Sequence, residues 1–495
     1  VLFNSAEFLL FFPVVGALTF AAPHRWRRWV LFAASCYFYM RFIPVYILIL
    51  LGTIAVDYLA GLFIEDAQGW RRKAWLTASL VANIGVLAVF KYFNFVNQNL
   101  AALFGVTGLH WPIADLGMIL PIGLSFHTFQ AMSYTIEVYR GNQKAERNLG
   151  IYALYVMFYP QLVAGPIERP QNLLHQFHEE KTFDPYAAAD GLLLMLWGFF
   201  KKVVVADRLA FIVDAVYDHA QELHGLPLLI ATVLFAFQIY CDFSGYSDIA
   251  IGSAKTLGIT LMDNFDRPYF STSIVEFWRR WHKSLSTWFR DYLYIPLGGN
   301  RVPTWRRYLN QWIVFLVSGL WHGASWTYVV WGALHGTYLV AGLLTLPMRD
   351  RWWAASRLDR VPYLRDALGL IGTFVLVCVA WVFFRARTLA DAAHVFTGAL
   401  DVSGQSLRPS VLLGSPELTA LGFPYASGVT RLHLLEAGVA IAALLALELA
   451  PRGARFDAWM QAVPRPARWA LAWALVMIIV LFGFESDVQF IYFQF

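Results

Sequence analysis

The sequence predicts an all-α polytopic membrane protein, and three observations lead there. Hydrophobic residues fill 58% of its 495 positions and charged residues only 14%, against roughly 25% charged in ordinary soluble chains. Mean hydropathy is +0.52. The apolar residues gather into runs close to the ~20 residues that cross a bilayer as a helix, at 6–22, 29–40, 44–64, 75–96, 115–136, 149–165, 188–206, 226–251, 310–346, 366–384, 434–450 and 466–484. Some are too short to cross upright, and 310–346 is long enough for two helices, so about 11 crossings are expected, with re-entrant or interfacial helices between them. No Ser/Gly linker or internal repeat divides the chain, which reads as one integral-membrane domain over 1–495. The missing repeat disfavours a secondary transporter.

Charge placement orients the spans. Glu7 is the only charge at the start of the first run, so the basic leader region of a cleaved signal peptide is not expected. Basic clusters at 24–28, at 71–73 and at Arg140, Lys144 and Arg147 follow the first, third and fifth spans. These are alternate loops and fall on one side, which the positive-inside rule makes cytoplasmic, with the N-terminus outside. Their expected contacts are lipid headgroups. No basic–aromatic array marks a nucleic-acid partner. Cys36, Cys241 and Cys378 lie in apolar runs without paired spacing and are expected to pack as small hydrophobes. The Ser/Gly/Pro-rich stretch from Asp401 to Arg431 reads as an exposed loop.

The stretch SIVEFWRRWHKSLSTWFRDYLYIPLGGNR, Ser273 to Arg301, is too charged to span a bilayer yet rich in aromatics. On a helix, Trp278, Trp281, His282, Leu285, Trp288 and Phe289 share one face, and Arg279, Arg280, Lys283 and Arg290 take the other. This predicts an interfacial or re-entrant amphipathic helix ended by Pro296 and Gly298-Gly299.

SGLWHGASWTYVVWGALHG, Ser318 to Gly336, sets two histidines in a strongly apolar run. They are thirteen positions apart, about 20 Å of rise on a continuous helix, so they share a site only if the helix breaks. Gly319, Gly323 and Ser325 permit a break, and the glycines beside His322 leave room for a substrate near the backbone. His335 reads as an interhelical hydrogen-bonding residue. Burial favours the neutral imidazole, which is the useful base. The residues alone rank His322 first as a catalyst and leave His282 and His335 level.

QIYCDFSGYSDIAIG, Gln238 to Gly252, carries intramembrane Asp242 and Asp248 among Tyr240, Ser244, Tyr246 and Ser247. Such acids pair with a base or face a cavity. Lys201, Lys202, Arg208, Lys255, Arg279 and Arg280 are available, and structural pairing is the favoured reading over a substrate-tunnel wall. The run His175-Gln-Phe-His178-Glu-Glu lacks the HExxH spacing and reads as polar loop rather than metal site. Gly123-Leu-Ser-Phe-His127 misses the last glycine of a serine nucleophile elbow, and neither a phosphate loop nor a dinucleotide fingerprint is present.

Together the motifs resemble the membrane-bound O-acyltransferase superfamily, in particular its bacterial polysaccharide-acetylating members. The matching stretches are FHTFQAMSYTIEVYRG (Phe126–Gly141), YPQLVAGPIERP (Tyr159–Pro170), YCDFSGYSDIAIG (Tyr240–Gly252), EFWRRWHKSLSTWFRDYLYIPLGGNR (Glu276–Arg301), the two-histidine segment and the terminal FIYFQF. The resemblance implies tilted helices around a central tunnel, the family's invariant histidine at His322 in W-H-G, and its second functional histidine at His282 in R-W-H. It places Asp242, Tyr240, Ser244, Trp321, Trp281 and His335 as tunnel candidates.

The implied activity is acetyl transfer from a cytoplasmic thioester, acetyl-CoA, across a bacterial inner membrane for O-acetylation of an exopolysaccharide such as alginate. No permanently bound cofactor or metal is expected. A periplasmic SGNH-hydrolase-like acetyltransferase would complete the relay, alongside polysaccharide-export machinery. His322 would be general base, and His282 would hold a reactant or polarise the thioester carbonyl. Alternatives are acyl or D-alanyl transfer to teichoic acid, cellulose or peptidoglycan, and, from a different class, a transporter or flippase using Asp242, Asp248 and the histidines as a path.

Overall fold

Hydropathy alone fixes where most helices lie. The computed structural model describes residues 1–356, 361, 363–403, 429–449, 459–460, 462–483 and 490–491. It is helical, with no strand among the described residues. Most of the loop expected at 401–431, and the end of the FIYFQF motif, lie outside them. Seven helices among the described residues are long and apolar enough to cross a membrane: Pro44–Asp66, Gly69–Val106, Leu226–Thr256, Trp326–Ser356, Leu364–Arg385, Arg431–Leu449 and Arg465–Phe482. Ala6–Ala21 is a shorter apolar helix. The three cysteines are thiols.

Two expected spans differ in detail. Over 115–136, helix begins only at Leu124, because Pro121 and the left-handed Gly123 (φ 74°) stop it. The preceding non-helical segment is pinned to helix Phe93–Val106, where the Asn94 amide pairs with both the N–H (2.8 Å) and C=O (2.9 Å) of Leu116. Over 149–165, a helix Leu149–Met157 is followed by turns. Between that turn region and helix Pro170–His178, Glu168 is wholly buried, its carboxylate accepting from the Met262 N–H.

The chain forms two compact units, 1–195 with 246–263, and 196–245 with 264–495. In the first unit we label α1 (Ala6–Ala21), α2 (His24–Met40), α3 (Ile47–Asp66), α4 (Gly69–Leu87), α5 (Phe93–Val106) and α6 (Leu124–Arg140). Asp57 on α3 is buried, and among the described residues it has no basic partner. Its carboxylate instead accepts from Ser79 (2.6 Å) and Asn83 (2.9 Å) on α4, and the Ser79 hydroxyl oxygen lies 2.9 Å from the Thr135 hydroxyl on α6. Three helices are thereby tied by polar contacts that an apolar medium cannot replace.

The basic clusters meet at one end of this unit. Arg72 donates to the Val138 carbonyl (3.2 Å) and lies over Tyr139, and Arg147 pairs with Glu65 and Asp66. Trp29 covers Gly150 so closely that a Cβ there would need it to shift. The amino terminus bonds the Phe38 carbonyl (2.8 Å), toward the other end of α2.

In the second unit, α14 (Thr304–His322) and α15 (Trp326–Ser356) form a hairpin with the break at Gly323–Ser325. Between the two sets of labels, α7 (Leu149–Met157), α8 (Pro170–His178), α9 (Pro185–Phe199), α10 (Asp207–Tyr217) and α11 (Leu226–Thr256) follow α6 along the chain, α12 (Ile274–Arg280) and α13 (Lys283–Phe289) precede the hairpin, and α16 is Leu364–Arg385. Glycines let the hairpin backbones touch: Gly319 faces the Tyr328 carbonyl and Gly332, Gly332 faces the Phe315 carbonyl, and Gly336 faces Trp312. Gly323 lies under the Tyr328 ring. The space beside Gly319 and Gly323, expected to admit substrate, is thus filled by Tyr328, and these glycines serve helix contact.

Gly332→Val should therefore destabilise the purified protein by about 1–3 kcal/mol or more through overpacking. Gly342→Ala, on the same helix with open space around it, should be neutral or stabilising by up to about 1 kcal/mol. Thermal melts in detergent compare the two, and equal melts would contradict the close-packing account. A second prediction concerns pH. Burial lifts the Glu168 carboxyl from 4.5 to about 7, opposed by its bond from the Met262 N–H. The fold favours the protonated form, so this site's stabilisation is full below about pH 4.5 and lost as pH rises through 7. Glu168→Gln should flatten that part of the melting-temperature curve; an unaltered slope would contradict the assignment.

Candidate active site

The expected amphipathic helix is two helices. Its predicted inner face, Trp278, Trp281, His282, Leu285, Trp288 and Phe289, is buried throughout. The helix nevertheless breaks between α12 and α13 at His282, which takes the left-handed conformation (φ 43°, ψ 56°). A non-glycine residue there costs about 1–2 kcal/mol, and it persists where surrounding contacts over-determine it. Asn264 supplies them. Its carbonyl accepts from the Lys283 N–H (2.8 Å). Its side-chain Oδ1 accepts from the Ser284 N–H (3.3 Å) and the Ser284 hydroxyl (2.9 Å), and lies 3.0 Å from His282 Nδ1.

These contacts set the imidazole's tautomer. The backbone N–H of Ser284 identifies the oxygen of the Asn264 amide, and an amide oxygen only accepts. His282 Nδ1 therefore carries the proton and Nε2 the lone pair. Such a neutral ring presents an acceptor at Nε2, not the N–H that polarising a carbonyl requires. His335 has the opposite tautomer: the indole N–H of Trp278 donates to its Nδ1 (3.2 Å), so its proton is on Nε2. That contact joins α12 to α15, as the interhelical reading of His335 required.

His322 ends α14 and is 4% exposed; His282 and His335 are fully buried. One aromatic cluster holds all three. The Trp321 ring lies 6.3 Å from His282 and 4.9 Å from His322. Trp331 lies 5.0 Å from His322 and 4.9 Å from His335. Phe384 on α16 closes on His322 (5.4 Å), and Trp381 stacks on Trp331 (6.0 Å) and approaches Trp281 (5.1 Å). Ring pairs in this range contribute about 0.5–1.5 kcal/mol each beyond burial. The helix break at Gly323 brings His322 and His335 against one indole.

The other tunnel candidates divide. Tyr240 packs on Trp281 (6.2 Å), and its hydroxyl bonds Glu448. Asp242 pairs with Lys202 (2.6 Å), which also holds Asp207 (2.8 Å), and its second oxygen accepts from the Ile491 N–H (2.8 Å). Ser244 accepts from Lys201 (2.8 Å). Asp242 is thus part of a buried ion triad that also fastens the start of the FIYFQF motif. His175 and His178 lie exposed on a helix rather than a loop, with His178 2.7 Å from Glu146. Among the described residues no cluster of three metal-ligating side chains occurs.

A cavity of about 230 Å3 lies between α12, α13, α14 and α15. Trp278, Leu285, Phe289 and Phe315 make its apolar wall, and Arg279, Arg290 and Ser318 add polar groups. Ser318 is one helical turn before His322, and Trp278 bonds His335. Sequence reasoning did not single out Asn264, Trp331, Trp381 or Phe384; a polar residue followed by aromatic Phe265 was the one signal at Asn264.

Comparison with known proteins agrees with this picture. The model of the membrane-bound O-acyltransferase family matches residues 147–383. The protein named probable alginate O-acetylase AlgI of Azotobacter vinelandii is 40% identical over 424 residues, covering 85% of this chain and 81% of that one. The peptidoglycan O-acetyltransferase of Helicobacter pylori is 35% identical, covering 82% and 81%. The teichoic acid D-alanyltransferase of Streptococcus thermophilus is 31% identical, covering 53% and 68%.

Asn264→Ala should leave the His282 Nδ1–H and the Ser284 donors without their acceptor. Stability should fall by about 1–3 kcal/mol, read as a lowered melting temperature, and Ser284→Ala should cost less because one donor leaves with its partner. An Asn264→Ala melt equal to the parent would contradict the tautomer assignment.

Proposed function

The chain belongs to the membrane-bound O-acyltransferase family, and from that premise we propose that it moves an acetyl group from cytoplasmic acetyl-CoA toward O-acetylation of an exopolysaccharide outside a bacterial inner membrane. It is an O-acyltransferase and a multi-pass membrane protein. The observation that carries the finer reading is the convergence of His282 and His322 on the single indole of Trp321.

In this reading His322 is the general base. It takes the proton of an acceptor hydroxyl as the oxygen attacks the thioester carbonyl carbon; the C–S bond breaks, and the departing thiolate receives that proton. An ester and a free thiol result. General-base catalysis of this kind contributes about 10²–10⁴-fold. His282, with its lone pair at Nε2, acts as hydrogen-bond acceptor and holds an N–H or O–H of a reactant. The acyl-bearing arm of the donor occupies the apolar cavity beside Ser318, with Arg279 and Arg290 toward its phosphates. The surrounding rings exclude water, which would otherwise hydrolyse the thioester.

A periplasmic SGNH-type partner takes the acetyl group onward to the polymer. The relatives named for alginate favour that acceptor; those named for peptidoglycan and teichoic acid favour the second reading, transfer to another envelope polymer. The gathered basic end of the first unit supports a periplasmic N-terminus.

His322→Ala should lower polymer acetyl content by at least about 100-fold, with insertion verified by protease accessibility. Unchanged acetylation would refute the base. Mass spectrometry of the polymer from cells with and without the protein identifies the transferred group and its recipient, and D-alanine in place of acetyl would select the second reading.

A further inference from the structure

At the basic end of the first unit, a small cavity of about 40 Å3 opens beside the start of α2, lined by His24, Arg27, Arg28, Glu179 and Lys181 over an apolar floor that includes Leu31. Glu179 is engaged by Lys181. Among the described residues Arg27 and Arg28 form no ion pair. Arg27 is held by two carbonyls, those of Ala22 (3.1 Å) and Lys181. Arg28 Nε is buried with no hydrogen-bond partner among the described residues. The same cavity receives the N-terminal end of α2, whose first turn has no acid and whose start, Pro23, provides no side-chain cap. Two guanidinium groups and the positive end of a 17-residue helix therefore face one small space, and among the described residues no carboxylate is left to balance them.

We infer that this cavity is a phosphate-ester site. Its volume is about three times the ~10–15 Å3 that one water needs, the scale of a single phosphate group and too small for a nucleobase or an acyl chain. Guanidinium forks match phosphate oxygens bidentately, and helix N-terminal N–H groups add to them. The phosphate is that of a phospholipid headgroup or of a soluble phosphate. Exposed Trp26 and Trp29 beside the cavity mark an interfacial belt and favour the lipid.

The test uses full-length protein purified in detergent and stripped of lipid, with native mass spectrometry and thermal melts. Probes are phosphatidylglycerol, diacylglycerol as its phosphate-free counterpart, and inorganic phosphate. Phosphatidylglycerol should be retained one per chain and raise the melting temperature, and diacylglycerol should do neither. Arg28→Gln should weaken phosphatidylglycerol binding at least about 10-fold while leaving the unliganded melt unchanged, and Arg28→Lys should restore part of it. Stabilisation by the lipid alone assigns the phosphate to a headgroup, and equal stabilisation by inorganic phosphate assigns it to a soluble ester; both support the site. Equal retention of diacylglycerol, or undiminished phosphatidylglycerol binding by Arg28→Gln, overturns it.

Discussion

The close approach of α14 and α15 is the constraint on which the second unit depends. Backbone touches backbone at Gly319 and Gly332, and no residue with a Cβ fits without displacement. This contact, with the break at Gly323, sets His322 at the end of one helix against Trp331 on the other. A continuous helix would carry the two histidines of this segment about 20 Å apart along its axis. The hairpin folds both of them against one indole, that of Trp331. Small residues thus set the backbone contact that brings His322 and His335 to one indole.

Around that hairpin the imidazoles are held by donors and acceptors of fixed polarity. Trp278 can only donate and Asn264 Oδ1 can only accept, so His335 and His282 are locked in opposite tautomers. The left-handed backbone at His282 is the cost of turning its ring into the cluster, and Asn264 offsets it through both its main chain and its side chain. His322 lies among the rings of Trp321, Trp331 and Phe384. A neutral ring in such surroundings is suited to accept a proton from a bound reactant.

Much of this was legible in the sequence, for identifiable reasons. Helix positions follow apolar runs because the bilayer demands them, and the hairpin break was readable from Gly323 and Ser325. The inner face of Ser273–Arg301 was readable because burial follows the 3.6-residue period even where the helix is interrupted. The interruption at His282 was not, since no propensity signals a left-handed histidine. Neither was Asn264, whose role depends on residues eighteen and more positions away. The delayed start of the helix at Leu124 was available in Pro121 and Gly123, but hydropathy continues across them and masks the stop. Asp242 behaved as its pairing predicted, whereas the glycines beside His322 serve packing against Tyr328 rather than substrate access.

The central claim is that His322 meets the reacting carbonyl. The most direct measurement is a structure of the purified protein with a non-hydrolysable acetyl-CoA analogue. The account predicts the analogue's arm in the cavity lined by Trp278, Leu285 and Ser318, with its acyl carbonyl within about 4 Å of the His322 ring, the reach of a near-attack arrangement. An acyl group bound elsewhere, with the His322 ring still enclosed by Trp321, Trp331 and Phe384 and touching no ligand, would contradict it.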